Sequence, residues 1–230
     1  MREENLLLAY LPNEERERLT PYLHEDVLEF QQVLIEPNQP ITDLYFPYDA
    51  ITSTIQEMND GNSVETGLMG IEGFVGVQLW LHAPTTSTRT LVQVPGRAHH
   101  MRATDFIRYV RDAESPLNVL CAKYAHAFLS MTSITAACNR LHPVNERLCR
   151  WLKLVHNRVR RDDFPLRQEF VAHMLGVHRP TVSTAANMLQ QAGLIRYSRG
   201  QLRVVDAEGL RNGSCECLEL MEREFEKIFS

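Results

Sequence analysis

Residues 168–195 read QEFVAHMLGVHRPTVSTAANMLQQAGLI, and the two apolar stripes on either side of Gly176 decide how this part of the chain folds. In the first, Phe170, Val171, Met174 and Leu175 recur at helical spacing. Gly176 follows where that helix must end, because glycine adopts the positive φ of a C-terminal cap without a Cβ penalty. Gly176-Val177-His178 then forms a short turn with Val177 as its buried plug. A second helix starts near Arg179-Pro180, since proline is tolerated in a first turn, where the amide hydrogen it lacks would have had no partner. Val182, Ala185, Ala186 and Leu189 make the inward stripe of this helix, and Arg179, Thr181, Ser183, Thr184 and Asn187 point away from it. Two helices joined by a short Gly-containing turn are a helix-turn-helix. That geometry also occurs as plain packing, so the stripes alone leave packing and DNA reading both open.

Three neighbouring features favour DNA. An amphipathic basic helix, VNERLCRWLKLVHNRV, precedes the motif, and IRYS, a tight Arg199-Gly200 turn and QLRVV follow it as a two-strand wing carrying Arg196, Arg199 and Arg203. The charge is also local. The chain has a net charge of −5, yet residues 1–139 hold 9 Lys/Arg against 18 Asp/Glu, residues 140–205 hold 12 against 4, and residues 206–230 hold 3 against 7. A basic block between acidic ones is the electrostatic footprint of a part that meets phosphate.

Outward from this block, His142-Pro143 marks a boundary, because proline disfavours a helical conformation in the residue before it. Upstream, Leu117, Tyr124, Met131 and Cys138 share one seven-residue spacing and Leu120, Ala127, Ile134 and Leu141 another. That is the a/d seam of a long helix over 116–141. These eight residues are expected to serve a dimer interface, with one face of the helix on the chain's own β-structure and one on a symmetry mate. After a short helical opening, residues 27–101 contain short β-rich runs separated by Glu36-Pro37-Asn38-Gln39-Pro40, Asn59-Asp60-Gly61-Asn62 and Pro95-Gly96, the rhythm of an antiparallel roll. The expected class is α+β: a roll over 1–115, a dimerisation helix over 116–141, a winged helix over 142–206 and an acidic helical tail over 207–230, with Leu218, Met221, Phe225 and Ile228 on one face of the tail.

With that order in hand, LRQEFVAHMLGVHRPTVSTAANMLQQAGLI resembles the DNA-binding domain of the CRP/FNR family of bacterial transcription regulators. Arg167-Gln168-Glu169, Gly176, Arg179 and Thr181-Val182 carry the match, and roll, long helix and winged helix follow in the family's order. The resemblance implies a homodimer on double-stranded DNA, with the recognition helices in half-sites about one turn apart. Arg179 would read guanine, His178 and Thr181 would lie near phosphate, Arg167 and Gln168 would hold the backbone from the first helix, and the wing arginines, Arg199 among them, would contact phosphates. Ser183, Thr184 and Asn187 complete the expected interface. Where the family's best-known member carries a glutamate and a second arginine on this helix, the chain has Pro180 and Thr184, so a different base preference is expected. RNA polymerase and an unidentified small-molecule effector are further partners the family implies.

The stretch GIEGFVGVQLWL resembles a cyclic-nucleotide phosphate cassette, but Val77 follows Gly76 where the family's binders place a glutamate, and Thr86-Ser87 stand in place of the arginine-serine pair. Without that guanidinium the cyclic phosphate lacks its charge-assisted fork. Arg89 is the nearest substitute. Gly76, Val77, Thr86, Ser87 and Arg89 are therefore the candidate effector pocket, with no cyclic AMP or cyclic GMP bound in the usual way. The cofactor is unknown. An FNR-type iron–sulfur cluster is not expected, since no cysteine precedes Cys121, and His82, His99 and His100 make only a weak case for haem.

Cys121, Cys138, Cys149, Cys215 and Cys217 are an odd set without paired spacings, which suits reduced thiols and a cytoplasmic location. Cys215-Glu216-Cys217 by itself is half a metal site, and the expectation is a packing tail with no metal. No Gly-rich phosphate loop, HExxH pair or nucleophile elbow appears, so no enzyme is expected. No run is apolar enough for a membrane span. The rival reading is a signal-binding or scaffolding protein whose winged helix contacts protein.

Overall fold

The computed structural model describes residues 4–110 and 114–230. Two short helices, α1 (Leu6–Tyr10) and α2 (Asn13–Leu19), lead into a roll of seven antiparallel strands: β1 (His24–Leu28), β2 (Val33–Ile35), β3 (Asp43–Pro47), β4 (Ile51–Glu57), β5 (Ser63–Met69), β6 (Arg89–Val94) and β7 (Gly96–Arg102). A one-turn helix, α3 (Val77–Trp80), interrupts them between β5 and β6. One sheet has the order β1-β7-β3 and the other β2-β6-β4-β5. The chain changes sheets at Pro95-Gly96, and glycine is required there because a Cβ on Gly96 would meet Asp49 and the Ala50 backbone nitrogen within 2.7 Å. The sequence reading ends a strand at this dipeptide; a further strand, β7, begins on its far side and pairs with both β1 and β3.

After α4 (Ala103–Tyr109), the long helix α5 runs Pro116–Leu141, over the span that the seven-residue spacing predicts. Ser115 caps it, accepting from Asn118 N at 3.1 Å, and Pro116 occupies the first turn, where no amide is missed. His142 ends it in extended backbone. Pro143 then precedes α6 (Val144–Val159), so the chain breaks direction where the sequence marks a boundary.

The C-terminal region contains β8 (Asp163–Pro165), α7 (Gln168–Leu175), α8 (Arg179–Gln191), β9 (Ile195–Ser198), β10 (Gln201–Val204), α9 (Ala207–Asn212) and α10 (Cys217–Glu226), with the small sheet in the order β8-β10-β9. Helix α10 lies along α5. It buries Leu218, Met221, Phe225 and the following Ile228, each worth roughly 1.5–3 kcal/mol of transfer free energy before the entropy of ordering the tail is subtracted.

The placement of α5 corrects the expected dimer face. Leu117, Leu120, Tyr124, Ala127, Met131 and Cys138 are buried inside the single chain, Ile134 is half-buried, and only Leu141 stands exposed. The physical reason is that a seven-residue apolar spacing marks whichever face is covered. Here the roll and α10 cover it: Tyr124 packs on Phe74 with tilted rings 5.0 Å apart, and a Cβ on Gly67 would strike the Phe128 ring at 2.6 Å. The outward positions are Val119, Ala122, His126, Leu129, Ser133, Ala136 and Arg140, a second three-and-four spacing along the whole helix.

Candidate nucleic-acid interface

The helix-turn-helix forms as its stripes predict. Phe170, Val171, Met174 and Leu175 of α7 and Val182, Ala185, Ala186 and Leu189 of α8 are buried. Gly176 caps α7 at φ +61°, and Pro180 sits in the first turn of α8. The turn Arg199-Gly200 has both residues at positive φ, 51° and 78°, the two-residue hairpin geometry that matches strand twist.

Arg179, Thr181, Thr184 and Asn187 stand exposed along one face of α8, with His178 at its N-terminal boundary. Two of the expected residues are engaged with each other. Ser183 Oγ, half-buried, donates to Gln168 Oε1 at 2.6 Å, which fixes α8 on α7. Arg179 forms an exposed ion pair with Glu169 of α7 at 3.2 Å, and Arg167 places its guanidinium 5.4 Å from the centre of the Phe30 ring. Thr184 Oγ1 donates to the Pro180 carbonyl at 3.1 Å. On the wing, Arg196 and Arg199 are exposed, and Arg203 lies 3.8 Å from Asp163. Exposed pairs of this kind are worth at most about 1 kcal/mol, so a phosphate can displace them.

The motif is docked on the roll. Ser63 Oγ lies 3.2 Å from His173 Nδ1, Phe30 packs on Phe170 with ring centres 5.8 Å apart, and Val64 approaches Gly176 so closely that a Cβ there would meet it at 3.2 Å. An open cleft of about 640 Å³ remains between roll and motif, lined among others by Asn62, Glu169, His178 and Arg179. Behind it, α6 brings three buried arginines to the junction. Arg158 pairs with Glu72 at 2.5 Å, and Arg147 donates to Asn139 Oδ1 at 2.7 Å and to the Leu175 carbonyl. Arg150 lies within electrostatic reach of Glu65, whose carboxyl is pushed up to about 7 by complete burial beside Ser53 and α6.

The candidate effector residues have separate local surroundings. Gly76 holds φ 104° at the start of α3, against Leu44, and Val77 is buried. Thr86 bonds Thr88 at 2.9 Å, and Ser87 is exposed. Arg89 is clamped between Glu36 at 3.2 Å and Glu57 at 3.3 Å. His99 packs against Tyr48 with tilted rings, and burial lowers its proton affinity; His100 lies 3.8 Å from Asp26.

Cys215 and Cys217 have neighbours that their own spacing does not reveal: the end of α5 brings Cys138 and His142 beside them, and one ligand atom from each of the four lies within 4.8 Å of all the others. The spacing in sequence hid this because the two pairs are more than seventy residues apart and meet only through the packing of α10 on α5.

Residues 146–212 match the model of the Crp-like helix-turn-helix domain. No curated protein matches the chain by sequence. Among solved structures, a CRP/FNR-family transcriptional regulator from Eubacterium rectale is 13% identical with a TM-score of 0.67, covering 90% of this chain and 96% of its own. FixK2 from Bradyrhizobium japonicum is 12% identical with a TM-score of 0.69, covering 84% and 98%. The c-di-GMP-responsive global regulator CLP from Xanthomonas campestris is 17% identical with a TM-score of 0.63, covering 84% and 99%. No helix among the described residues is long and apolar enough to cross a membrane. Residues 146–212 are thus a Crp-like helix-turn-helix domain, and the chain that carries them has the fold of the CRP/FNR transcriptional regulators.

Proposed function

We propose that the protein is a dimeric, sequence-specific DNA-binding transcription regulator in which the N-terminal roll controls the helix-turn-helix. The observation that carries this reading is the exposed polar face of α8. Arg179 lies in its first turn, Thr181, Thr184 and Asn187 follow, and the wing arginines flank it within a block of 12 Lys/Arg against 4 Asp/Glu. Arg179 reads a guanine through its two-pronged guanidinium, while Arg167, His178, Arg196 and Arg199 hold phosphates and set the register. Two copies place two recognition helices on two half-sites. The outward stripe of α5 from Val119 to Arg140 is the face that joins them, since the other stripes are already covered.

Control acts through docking. In the docked arrangement Arg179 is held by Glu169 and Arg167 by Phe30. A signal in the roll that loosens β5 from α7 frees Arg167 from Phe30, whereas the Arg179–Glu169 pair lies within the motif and yields to DNA itself; the break at His142-Pro143 is where the domain turns. The effector is not a cyclic nucleotide held in the usual way. Supporting this, Arg89 already carries two carboxylates that a cyclic phosphate would have to displace, and the position that would hold the ribose hydroxyl is the buried Val77.

The test is DNA selection from a random pool, followed by titration of the selected site at several salt concentrations. Affinity should fall steeply with salt through counterion release. Arg179→Ala should weaken the selected site by about 1–3 kcal/mol and relax one base position. Unchanged affinity after Arg179→Ala together with removal of Arg196 and Arg199 would favour a winged helix that contacts protein.

A further inference from the structure

We infer that Cys138, His142, Cys215 and Cys217 form a closed structural site for one zinc ion, stapling the C-terminal tail to the end of the long helix. The site is built from two short motifs. Cys138 lies in the last turn of α5 and His142 caps that helix four residues on, and Cys215 and Cys217 stand at the entrance to α10. Three thiolates and one imidazole are a complete tetrahedral set for zinc.

Geometry selects a single ion. Cys138 Sγ lies 3.5 Å from Cys215 Sγ, Cys217 Sγ lies 3.6 Å from His142 Nδ1, and the four ligand atoms fit within 4.8 Å. The edge of a tetrahedron with zinc–sulfur bonds of about 2.3 Å is about 3.8 Å. A cluster with several irons and bridging sulfides has to spread its ligands wider than that.

Two further observations point to a metal. His142 turns its other nitrogen, Nε2, to Glu216 Oε2 at 3.1 Å, the carboxylate–histidine arrangement that fixes the tautomer of a metal-bound imidazole. Glu216 sits between the two cysteines, so one tripeptide supplies two ligands and the partner of a third. Second, Arg150 is 4% exposed, and no carboxylate stands within ion-pair distance of it among the described residues. Its guanidinium donates to Met221 Sδ of α10 at 3.3 Å, on the helix that Cys217 begins. Zinc with three thiolates carries one net negative charge, which a buried guanidinium packed on the same helix α10 would offset. Binding releases the three thiol protons to solvent and leaves the imidazole neutral. Cys149, near Gly213, and Cys121, near the start of α5, stay outside the site.

The decisive measurement is the metal content of the full-length protein purified under reducing conditions, by elemental mass spectrometry. One zinc per chain is expected. Cobalt introduced in its place should give thiolate-to-metal charge transfer and the strong visible bands of a tetrahedral ion. Cys215→Ser with Cys217→Ser should abolish both signals, Cys121→Ser should leave them intact, and Glu216→Gln should lower zinc affinity about 10–100-fold without changing stoichiometry. If the cysteine variant fails to fold, the cobalt spectrum of the unmutated protein still decides. A reduced protein that takes up no zinc on titration, a cobalt spectrum without thiolate bands, iron with acid-labile sulfide, or a Cys138–Cys215 disulfide in place of metal would each overturn the assignment.

Discussion

Glu65→Gln should stabilise the protein at alkaline pH and leave it unchanged in acid. Glu65 is on β5, fully buried where the roll meets α6, and burial raises its carboxyl from 4.5 to about 7. Ser53 Oγ lies 2.6 Å from Glu65 Oε2 and 2.5 Å from the side-chain Oε1 of Gln93. The hydroxyl has one proton for two acceptors, so a protonated Glu65 completes the chain by donating to Ser53 while Ser53 donates to Gln93. The folded pKa lies above the unfolded one, so the contribution of this group is fully present below pH 4.5. It is lost as pH rises toward 7, where the unfolded chain has already released the proton that the folded chain retains. At about 1.36 kcal/mol per pKa unit, the loss approaches 3 kcal/mol above pH 7. Glutamine keeps the shape and cannot ionise, so the gain of the variant over the parent should grow from near zero at pH 4.5 to about 3 kcal/mol at pH 8. Urea unfolding followed by the fluorescence of Trp80 and Trp151 measures it, Trp151 being buried beside the carboxyl. A pH-independent difference, or a variant less stable than the parent at pH 8, would refute the reasoning.

Arg158→Met removes one partner of the buried pair with Glu72 and should destabilise the fold by about 3–5 kcal/mol in chemical denaturation. Adding Glu72→Gln should recover most of that loss, because the penalty comes from the carboxylate left buried without a partner. Leu129→Arg, at a position 60% exposed in the single chain, should change monomer stability by no more than about 0.5 kcal/mol. By placing like charges across the α5 stripe it should shift sedimentation from dimer to monomer and weaken operator binding; a variant that stays dimeric would move the interface to another face.

The helix-turn-helix was legible because each device in it is local: two stripes, a glycine at a positive-φ cap and a proline in a first turn. The same holds for the span of α5 and for the buried face of the tail, where period alone gives the answer. What the chain concealed depends on contacts between distant segments. The seven-residue spacing on α5 could not say which stripe the roll and α10 would cover, and the outward one, with only Val119 and Leu129 as large apolar residues, is the less conspicuous. Cys138 and His142 at helical spacing, with a Cys-x-Cys pair downstream, were a readable signal of a metal site only if the tail returned to the end of α5. Likewise the engagement of Arg179 by Glu169, and of Gln168 by Ser183, depends on how α7 and α8 cross.

If docking on the roll withholds the reader from DNA, as proposed, the contact of Phe30 with Phe170 and Arg167 would give the roll a hold on DNA affinity without touching DNA. With reader and roll in equilibrium between docked and released arrangements, only the released fraction meets the operator, and the apparent dissociation constant is the intrinsic one divided by that fraction. Each 1.4 kcal/mol or so of docking free energy then lowers the apparent affinity about tenfold. On that reading Phe30 would act as a gain control. Substitutions there would scale occupancy at every site on the genome by a common factor and leave the ranking of those sites, which α8 sets, unaltered.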